Sequence, residues 1–275
     1  MSAAEVRRPA VAGAFYPRNA GELRELVGAC LAEASGDPAP ARAALAPHAG
    51  LIYSGRCAAH VFRRLTLPPV VVILAPNHTG RVGAPGGASV WAHGAFGTPL
   101  GEVPVAHAFA EALTTRCALA THDPVAHLAE HAIEVELPFL QVAERECAIV
   151  PVVLAWDDWA RCRQLAEDLA LLVRDWPQDV LLLASSDMTH YESAEQAARK
   201  DRLALDAAER LDGEALLDAC HRHHITMCGR APAAVALETA RRLGATAAQV
   251  VDYRHSGWVT GDDAQVVAYA GLVIR

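Results

Sequence analysis

Three histidines occupy positions where an α/β protein could gather metal ligands. His48, His78 and His190 each come within a few residues of a short apolar run that is ended by a proline or by a Ser-Ser pair. Such runs are typical of buried parallel strands, whose carboxyl ends meet at one edge of a sheet. Converging imidazoles can bind Fe, Cu or Zn. Spacing alone leaves open the alternative that these segments are simply polar turns.

A third ligand would complete a metal site, and spacing alone does not identify it. Cys228 precedes a predicted helix, whose N-terminal dipole would favour a thiolate. The alternative for this residue is a buried, unreactive cysteine. Four side chains therefore remain as candidates for the third ligand: Asp187, Glu134, Glu136 and Cys228.

Most of the 13 histidines need no function. Three lie together at the predicted C-terminus of a helix: His221, His223 and His224. Cationic side chains are stabilised there by the helix dipole, which explains these histidines without a bound metal. Five others stand singly in the sequence and are expected to be surface or structural side chains: His60, His93, His107, His122 and His127.

Alternating apolar runs and helical patterns predict a parallel or mixed sheet covered by helices. Strands are predicted over residues 43–46, 70–74, 89–92, 147–154, 180–185, 248–253 and 266–274. Helices are predicted from an Asn19 cap to about 31, from a Ser54 cap to 65, and over 105–116, 130–141, 158–175, 192–210, 213–223 and 232–243. Residues 81–101 are rich in glycine and proline and are expected to form a flexible loop around one short strand.

Composition limits the classes of function. With 275 residues, 52% of them hydrophobic, the chain can bury a large core, and we expect one domain over 1–275. A net charge of -8 without a basic cluster argues against nucleic-acid binding. No apolar run reaches the roughly 18 residues that a membrane helix needs. The seven cysteines lack paired spacing and no export signal is evident, so we expect free thiols and a cytoplasmic protein.

Six motifs occur in an order that resembles the Memo family (mediator of ErbB2-driven cell motility), whose bacterial and archaeal members are named AmmeMemoRadiSam system protein B. The resemblance covers nearly the whole chain. The motifs are Pro9-Ala-Val-Ala-Gly-Ala-Phe-Tyr-Pro17, Ala46-Pro-His-Ala-Gly50, Pro76-Asn-His78, Glu130-His-Ala-Ile-Glu-Val-Glu-Leu-Pro138, Ser185-Ser-Asp-Met-Thr-His190 and Cys228-Gly-Arg230.

This resemblance implies a fold similar to that of class III extradiol dioxygenases, a single α/β domain whose central sheet is flanked by helices. Carried over by motif, it implies metal ligation by His48, His78 and Cys228. It also implies that Asp187 and His190 line the pocket and that His131 lies in another pocket-lining motif. The dioxygenases use a carboxylate where this chain has a cysteine, so the resemblance in fold does not imply ring cleavage.

A metal-dependent redox protein is the first functional hypothesis. A soft thiolate ligand shifts the metal preference toward Cu(I), Zn or a sulfur-ligated iron. For a redox protein we expect Fe(II) or Cu, with Zn less favoured. His190 would act as general acid and base, oriented by Asp187, while His131 and Glu134 would shape the side of an unknown small-molecule substrate. The alternatives are extradiol-type dioxygenation of a catechol-like compound, peptide binding by an adaptor, and a zinc hydrolase. The family's system name implies association with radical-SAM and AMMECR1-like proteins.

Overall fold

Strands and helices alternate along the chain in a computed structural model that describes residues 5–83, 86–143 and 147–275. The strands are β1 (Val6–Arg7), β2 (Ala43–Ala46), β3 (Val70–Pro76), β4 (Ala88–Val90), β5 (Ala95–Thr98), β6 (Gly101–Pro104), β7 (Ala120–His122), β8 (Ala148–Leu154), β9 (Val180–Ser185), β10 (His190–Glu192), β11 (Ala248–His255) and β12 (Val266–Ile274). The α-helices are α1 (Ala20–Glu33), α2 (Leu51–Phe62), α3 (His107–Arg116), α4 (Leu137–Val142), α5 (Trp159–Asp175), α6 (Ala194–Glu209), α7 (Gly213–Arg222), α8 (Arg230–Arg242) and α9 (Gly257–Thr260).

One large mixed sheet dominates the described part of the chain. Its strand order is β10-β12-β2-β9-β3-β8-β4-β7, and β11 pairs with β12 outside this path. The central strands β2, β9, β3 and β8 are parallel to their neighbours in that series. Antiparallel pairs join β12 to β2 and β4 to β8. The predicted α/β fold with a mixed sheet is therefore confirmed.

The central strands are buried along almost their whole length, which explains their continuous apolar sequences. Two groups of helices flank the sheet. On one side, α8 packs against β2, β3 and β9 and is supported by α5 and α7. In the other group, α2 packs against β2, β11 and β12 and is supported by α1. None of the helices in the described residues combines the length and the apolar character that a bilayer crossing requires.

The parallel pairing brings separate motifs to one edge of the sheet. In the register of β2 and β9, Ala46 lies opposite Ser185, so His48 and Asp187 each stand two residues beyond a matched pair. The backbone N–H of His48 donates to Oδ1 of Asp187 at 2.9 Å. Since β3 pairs with β9 in parallel, His78 follows at the same edge. The sheet thus gathers residues that are more than 100 positions apart.

A second, three-stranded sheet of β1, β5 and β6 was not predicted from the sequence. β1 is only two residues long and pairs in parallel with β5. Two residues are too few to show the alternation of apolar and polar residues by which a strand is predicted. Its structural effect is to bring Arg7 into the interior, where 1% of the residue is exposed.

Several predicted boundaries agree with the structure and others are wrong. Asn19 and Asp158 cap α1 and α5 through their side chains, as expected. Ser54 does not cap α2: the helix begins at Leu51, and the buried Ser54 hydroxyl donates to the Ala49 carbonyl. The predicted helix over 130–141 is reduced to a 3-10 turn at Glu134–Glu136 followed by α4. Residues 84 and 85 of the predicted 81–101 loop lie outside the described residues.

Candidate metal centre

His48 lies in the loop after β2 and is almost fully buried, with 1% of the residue exposed. Its Nδ1 is 2.7 Å from the hydroxyl oxygen of Ser185, at the end of the neighbouring strand β9. With Nδ1–H donating to that hydroxyl, Nε2 carries the lone pair. The Ser185 hydroxyl in turn lies 2.7 Å from Oε1 of Glu136, a donor–acceptor pair that fixes the imidazole from behind.

His78 is anchored by a carboxylate in a similar way. Oε1 of Glu130 lies 2.8 Å from Nδ1 of His78, and Oε2 accepts the backbone N–H of the same residue at 2.7 Å. The Glu130 side chain is 1% exposed and that of His78 is 32% exposed. A carboxylate accepts only, so Nδ1 must carry the proton and Nε2 faces the pocket. This arrangement resembles the carboxylate–histidine pairs that orient metal ligands.

Cys228 brings a sulfur atom to the two imidazoles. Its Sγ lies 3.3 Å from Nε2 of His48, and the side chain is close enough to His78 to raise the pKa of that histidine. The backbone N–H of Asp187 donates to the sulfur at 3.3 Å. Gly229, which follows at the start of α8, packs so closely that a Cβ there would lie 2.4 Å from the Ser185 carbonyl oxygen. The glycine therefore allows the cysteine to approach the end of β9.

His131 adds a third imidazole, a placement that the sequence predicted only as pocket-lining. Its ring stacks on His78 with centroids 4.6 Å apart and meets the edge of His48 at 5.4 Å. One ligand nitrogen from each of these three histidines lies within 4.8 Å of the others. Phe15 packs on the far side of His131, with ring centroids 4.7 Å apart.

The donor spacing fits a single ion. With metal–nitrogen bonds of about 2.0 Å and metal–sulfur bonds of about 2.3 Å in a tetrahedral arrangement, a nitrogen and a sulfur ligand stand about 3.5 Å apart. The observed separation of 3.3 Å between His48 Nε2 and Cys228 Sγ needs only a small adjustment. In both histidines Nδ1 is held by a neighbouring oxygen and Nε2 is the nitrogen left for a ligand, so the residues present suit a metal ion.

The electrostatics of the three imidazoles differ. Burial, reinforced by His131 and His78, holds the pKa of His48 well below its usual value. Burial also lowers the pKa of His131 to about 4. Burial alone would lower the pKa of His78, but hydrogen bonds to Cys228 and Glu130 outweigh it and raise the pKa to about 10. A positive charge is thus stabilised where His78 faces the sulfur, and a metal ion would supply that charge in place of a proton.

Asp187 and His190 lie at the same edge, but they make different contacts from those we predicted. The Asp187 carboxylate accepts the backbone N–H groups of His48 and Ala49, and burial raises the pKa of Asp187 to about 7. It therefore holds the His48 loop, whereas an orienting contact to His190 was expected. The backbone N–H of His190 donates to the Thr226 hydroxyl. Nδ1 of the His190 ring is buried and has no hydrogen-bond partner among the described protein atoms.

The Glu134 carboxylate is turned away from the substrate side that we expected it to shape. It is fully buried and forms an ion pair with Arg7. It also accepts the backbone N–H groups of Ala10 and Val11 and the hydroxyl of Tyr16. Glu134 thus stabilises the position of the segment that carries Phe15, and its role is structural.

Sequence reasoning missed Glu130, Ser185 and Glu136 as partners of the ligand candidates. Each of these contacts joins distant parts of the chain: 52 residues separate Glu130 from His78, and 137 separate Ser185 from His48. A signal was present in the Glu130-His131 pair, since a carboxylate beside one pocket histidine can reach a second. Spacing alone could not show which histidine it would orient.

A cavity of about 530 Å³ opens beside Cys228. Apolar side chains, among them Val82 and Trp156, form part of its wall. Arg230 pairs with Asp157 at its edge, at 2.6 Å between Nε and Oδ2. The volume suits a small molecule with one polar end.

Comparison with known proteins gives a consistent result. A family model described as Memo-like protein matches residues 7–273. The chain is 42% identical over 269 residues to a MEMO1 family protein of Aquifex aeolicus, covering 98% of each chain. It is 38% identical over 282 residues to a MEMO1 family protein of Methanopyrus kandleri, covering 98% of this chain and 99% of the relative. A MEMO1 family protein of Methanothermobacter thermautotrophicus is 37% identical over 278 residues, with 97% and 99% covered.

Proposed function

The chain belongs to the Memo-like protein family, and on that premise we propose that it is a metal-binding redox protein whose ion is held by His48, His78 and Cys228. The observation that carries the proposal is the 3.3 Å approach of Cys228 Sγ to His48 Nε2. Both histidines are fixed from behind, by Ser185 and by Glu130, so their free nitrogens face the sulfur. A thiolate in the ligand set suits Cu(I), Zn or a sulfur-ligated iron, and a redox function requires Fe or Cu among these because Zn has no redox chemistry.

The protein's own residues would position a substrate and move a proton. A bound ion would supply one-electron chemistry and polarise a substrate oxygen. His190 is the general acid and base of this proposal, because its buried Nδ1 is free of protein partners. Burial lowers the pKa of His190, so the imidazole is neutral and ready to accept a proton near pH 7.

The substrate of this proposal is a small molecule that enters the cavity beside Cys228. His131 does not line this cavity, but its ring stacks on His78 beside the proposed ion. Because burial lowers the pKa of His131 to about 4, it stays neutral and can ligate or accept a hydrogen bond. The site therefore offers three neutral or metal-compensated imidazoles and one sulfur to a reacting group.

Metal analysis tests the proposal. Protein purified without chelator is expected to contain about one equivalent of Fe or Cu, and a Cys228→Ala/His78→Ala variant is expected to contain almost no Fe or Cu. A matched control replaces Cys147 and His60, which lie outside the pocket, by alanine. Thermal unfolding of both variants shows that the comparison is made on folded protein. Equal metal content in the wild type and the pocket variant would overturn the proposal.

The redox part has its own test. Electron paramagnetic resonance should show the bound ion changing oxidation state reversibly when ascorbate and then ferricyanide are added. The signal should disappear in the Cys228→Ala/His78→Ala variant and persist in the Cys147→Ala/His60→Ala control. An ion that is bound stoichiometrically but is inert to both reagents would leave metal binding intact and refute the redox function.

Extradiol-type dioxygenation is the second candidate, and the cavity of about 530 Å³ favours it because a catechol would fit there. The cysteine in the ligand set argues against it, since the dioxygenases use a carboxylate at this position. Incubating protein with Fe(II) and a panel of catechols without oxygen, and then admitting oxygen, distinguishes the two. Ring-opened products would establish dioxygenation, and their absence across the panel would dismiss it.

A further inference from the structure

A second group of histidines comes together on the surface, although each stands alone in the sequence. His93 follows β4, His107 begins α3, and His122 ends β7. The His93 ring lies 4.7 Å from that of His107 and 4.9 Å from that of His122, measured between centroids. Glu111 stands one turn after His107 on α3. The sequence analysis expected these histidines to be surface or structural side chains, and all three are exposed, but it did not predict that they lie together.

We propose that His93, His107 and Glu111 form a second metal site, which takes a divalent ion of the Zn²⁺ class independently of the pocket. One ligand atom from each lies within 4.8 Å of the other two. None of the three belongs to the candidate centre at His48, His78 and Cys228. Two imidazoles and a carboxylate are a frequent ligand set for zinc sites that keep a position open for water.

The backbone of Ala92 sets the tautomers. Nδ1 of His107 lies 3.1 Å from the Ala92 carbonyl oxygen, which can only accept, so this nitrogen carries the proton. Nδ1 of His93 lies 2.9 Å from the same protonated nitrogen and accepts its N–H, so an ion would bind this lone pair by displacing that hydrogen bond. Orientation of a ligating histidine by a backbone carbonyl is a common feature of metal sites.

The remaining nitrogen of His107 faces a carboxylate. Nε2 of His107 lies 3.4 Å from Oε2 of Glu111. The two atoms together attract a cation, either a proton on the ring or a metal ion. Ligands about 2.0 Å from a tetrahedral zinc ion stand about 3.3 Å apart, so the observed gap already matches that of a bound pair.

His122 packs beside the site and is not a ligand. Its Nδ1 accepts the N–H of Ala92 at 3.3 Å, which places the proton of the neutral ring on Nε2. This histidine is therefore a natural control. The positive end of the α3 dipole works against a cation at His107, and the negative charge of Glu111 offsets it.

Zinc titration of the full-length, metal-free protein tests the proposal, with equilibrium dialysis as the measurement. If the pocket also binds metal, the wild type takes two equivalents, and the His93→Ala/Glu111→Ala and Cys228→Ala/His78→Ala variants each take one. If the pocket binds none, the wild type takes one and the His93→Ala/Glu111→Ala variant takes none. The surface site and the proposed function therefore fail or succeed separately.

Two further measurements sharpen the test. With Co²⁺, the thiolate charge-transfer band reports only on Cys228, and it should be unchanged in the His93→Ala/Glu111→Ala variant. Glu111→Gln should raise the dissociation constant of the surface site at least about tenfold, while His122→Asn should leave that constant unchanged. The side chains of His107 and Glu111 are 55% and 56% exposed, so these variants should fold normally. An unchanged number of bound equivalents in His93→Ala/Glu111→Ala, or an equal loss in His122→Asn, would refute the second site.

Discussion

The Glu130 carboxylate accepts both the backbone N–H and the Nδ1–H of His78, at 2.7 and 2.8 Å. One side chain therefore fixes the position of the loop after β3 and the rotation of the imidazole at its tip. Hydrogen bonds from His131 and Ala132 backbone N–H groups hold the same carboxylate in place. The orientation of His78 depends on this buried acid more than on its own neighbours in the sequence.

Glu130→Gln is expected to weaken metal binding by about 10- to 100-fold. The amide has one acceptor oxygen where the carboxylate has two, and the substitution also removes the negative charge beside His78. Competition of the apoprotein with a chromophoric zinc chelator measures the affinity. Glu33→Gln makes the same substitution at an exposed glutamate that pairs with Arg56, and it should leave the affinity unchanged. Affinities within twofold of the wild type for Glu130→Gln would show that His78 is oriented without this carboxylate.

Cys228 is expected to be the single fast-reacting thiol of the native protein. Six of the seven cysteines are buried, and only Cys228 is partly exposed. A disulfide reagent should therefore release about one equivalent of chromophore rapidly, and Cys228→Ser should abolish this phase. Cys147→Ser, the control, should retain it. On the proposed metal ligation, added Zn²⁺ should slow the reaction, and a rapid phase that survives in Cys228→Ser would contradict the assignment.

The sequence predicted the site as far as local patterns reach. His48 and His78 each follow an apolar run, and the rule that parallel strands end at one edge was enough to bring them together. Cys228 required the family resemblance, because a cysteine before a helix has no spacing relation to β2 or β3. Glu130 and Ser185 were missed because their partners are set by the packing of distant segments.

The contacts between the surface histidines could not be predicted from the sequence either. His93 and His122 are 29 positions apart, and the pairing of β4 with β7 makes them neighbours. β4 is only three residues long and lies in a glycine-rich region that we expected to be largely loop. Without that pairing, no periodicity in the sequence links the two rings.

Glu134→Gln is expected to destabilise the protein by about 3–5 kcal/mol, because it leaves the buried guanidinium of Arg7 without its counter-charge. Both side chains of this ion pair are 0% exposed. Urea unfolding measures the change. The double variant Arg7→Met/Glu134→Gln removes the uncompensated charge and should recover part of the loss. A cost below about 1 kcal/mol for Glu134→Gln would mean that the N-terminal segment is held by other contacts.

Asp201→Asn is expected to change the pH dependence of stability in a defined direction. Burial raises the pKa of Asp201 from 3.8 to about 6, despite hydrogen bonds from Thr189 and Tyr253. The folded state therefore favours the protonated acid, and its contribution is complete below pH 4 and is lost as the pH rises through 6. The asparagine variant lacks this loss.

The difference in unfolding free energy between the two proteins should move in favour of Asp201→Asn by an amount on the order of 3 kcal/mol between pH 4 and pH 7. Urea unfolding at each pH measures it, and the subtraction cancels groups that titrate in both proteins. Asp206→Asn, at an exposed aspartate on the same helix, is the matched control for the loss of a carboxylate. A difference that instead favours the wild type as the pH rises would contradict the raised pKa.

Strand β12 ties the order of synthesis to the placement of one pocket residue. It lies between β10 and β2, pairing Val267 with His190 and Leu272 with Leu45. Strands β2, β9 and β3 pair with one another directly, so the loops that carry His48 and His78 can meet before β12 has been made. His190, in contrast, lacks its paired strand until residues 266–274 emerge, so an arrested ribosomal product ending before residue 266 should retain metal uptake in the pocket and lack a fixed His190.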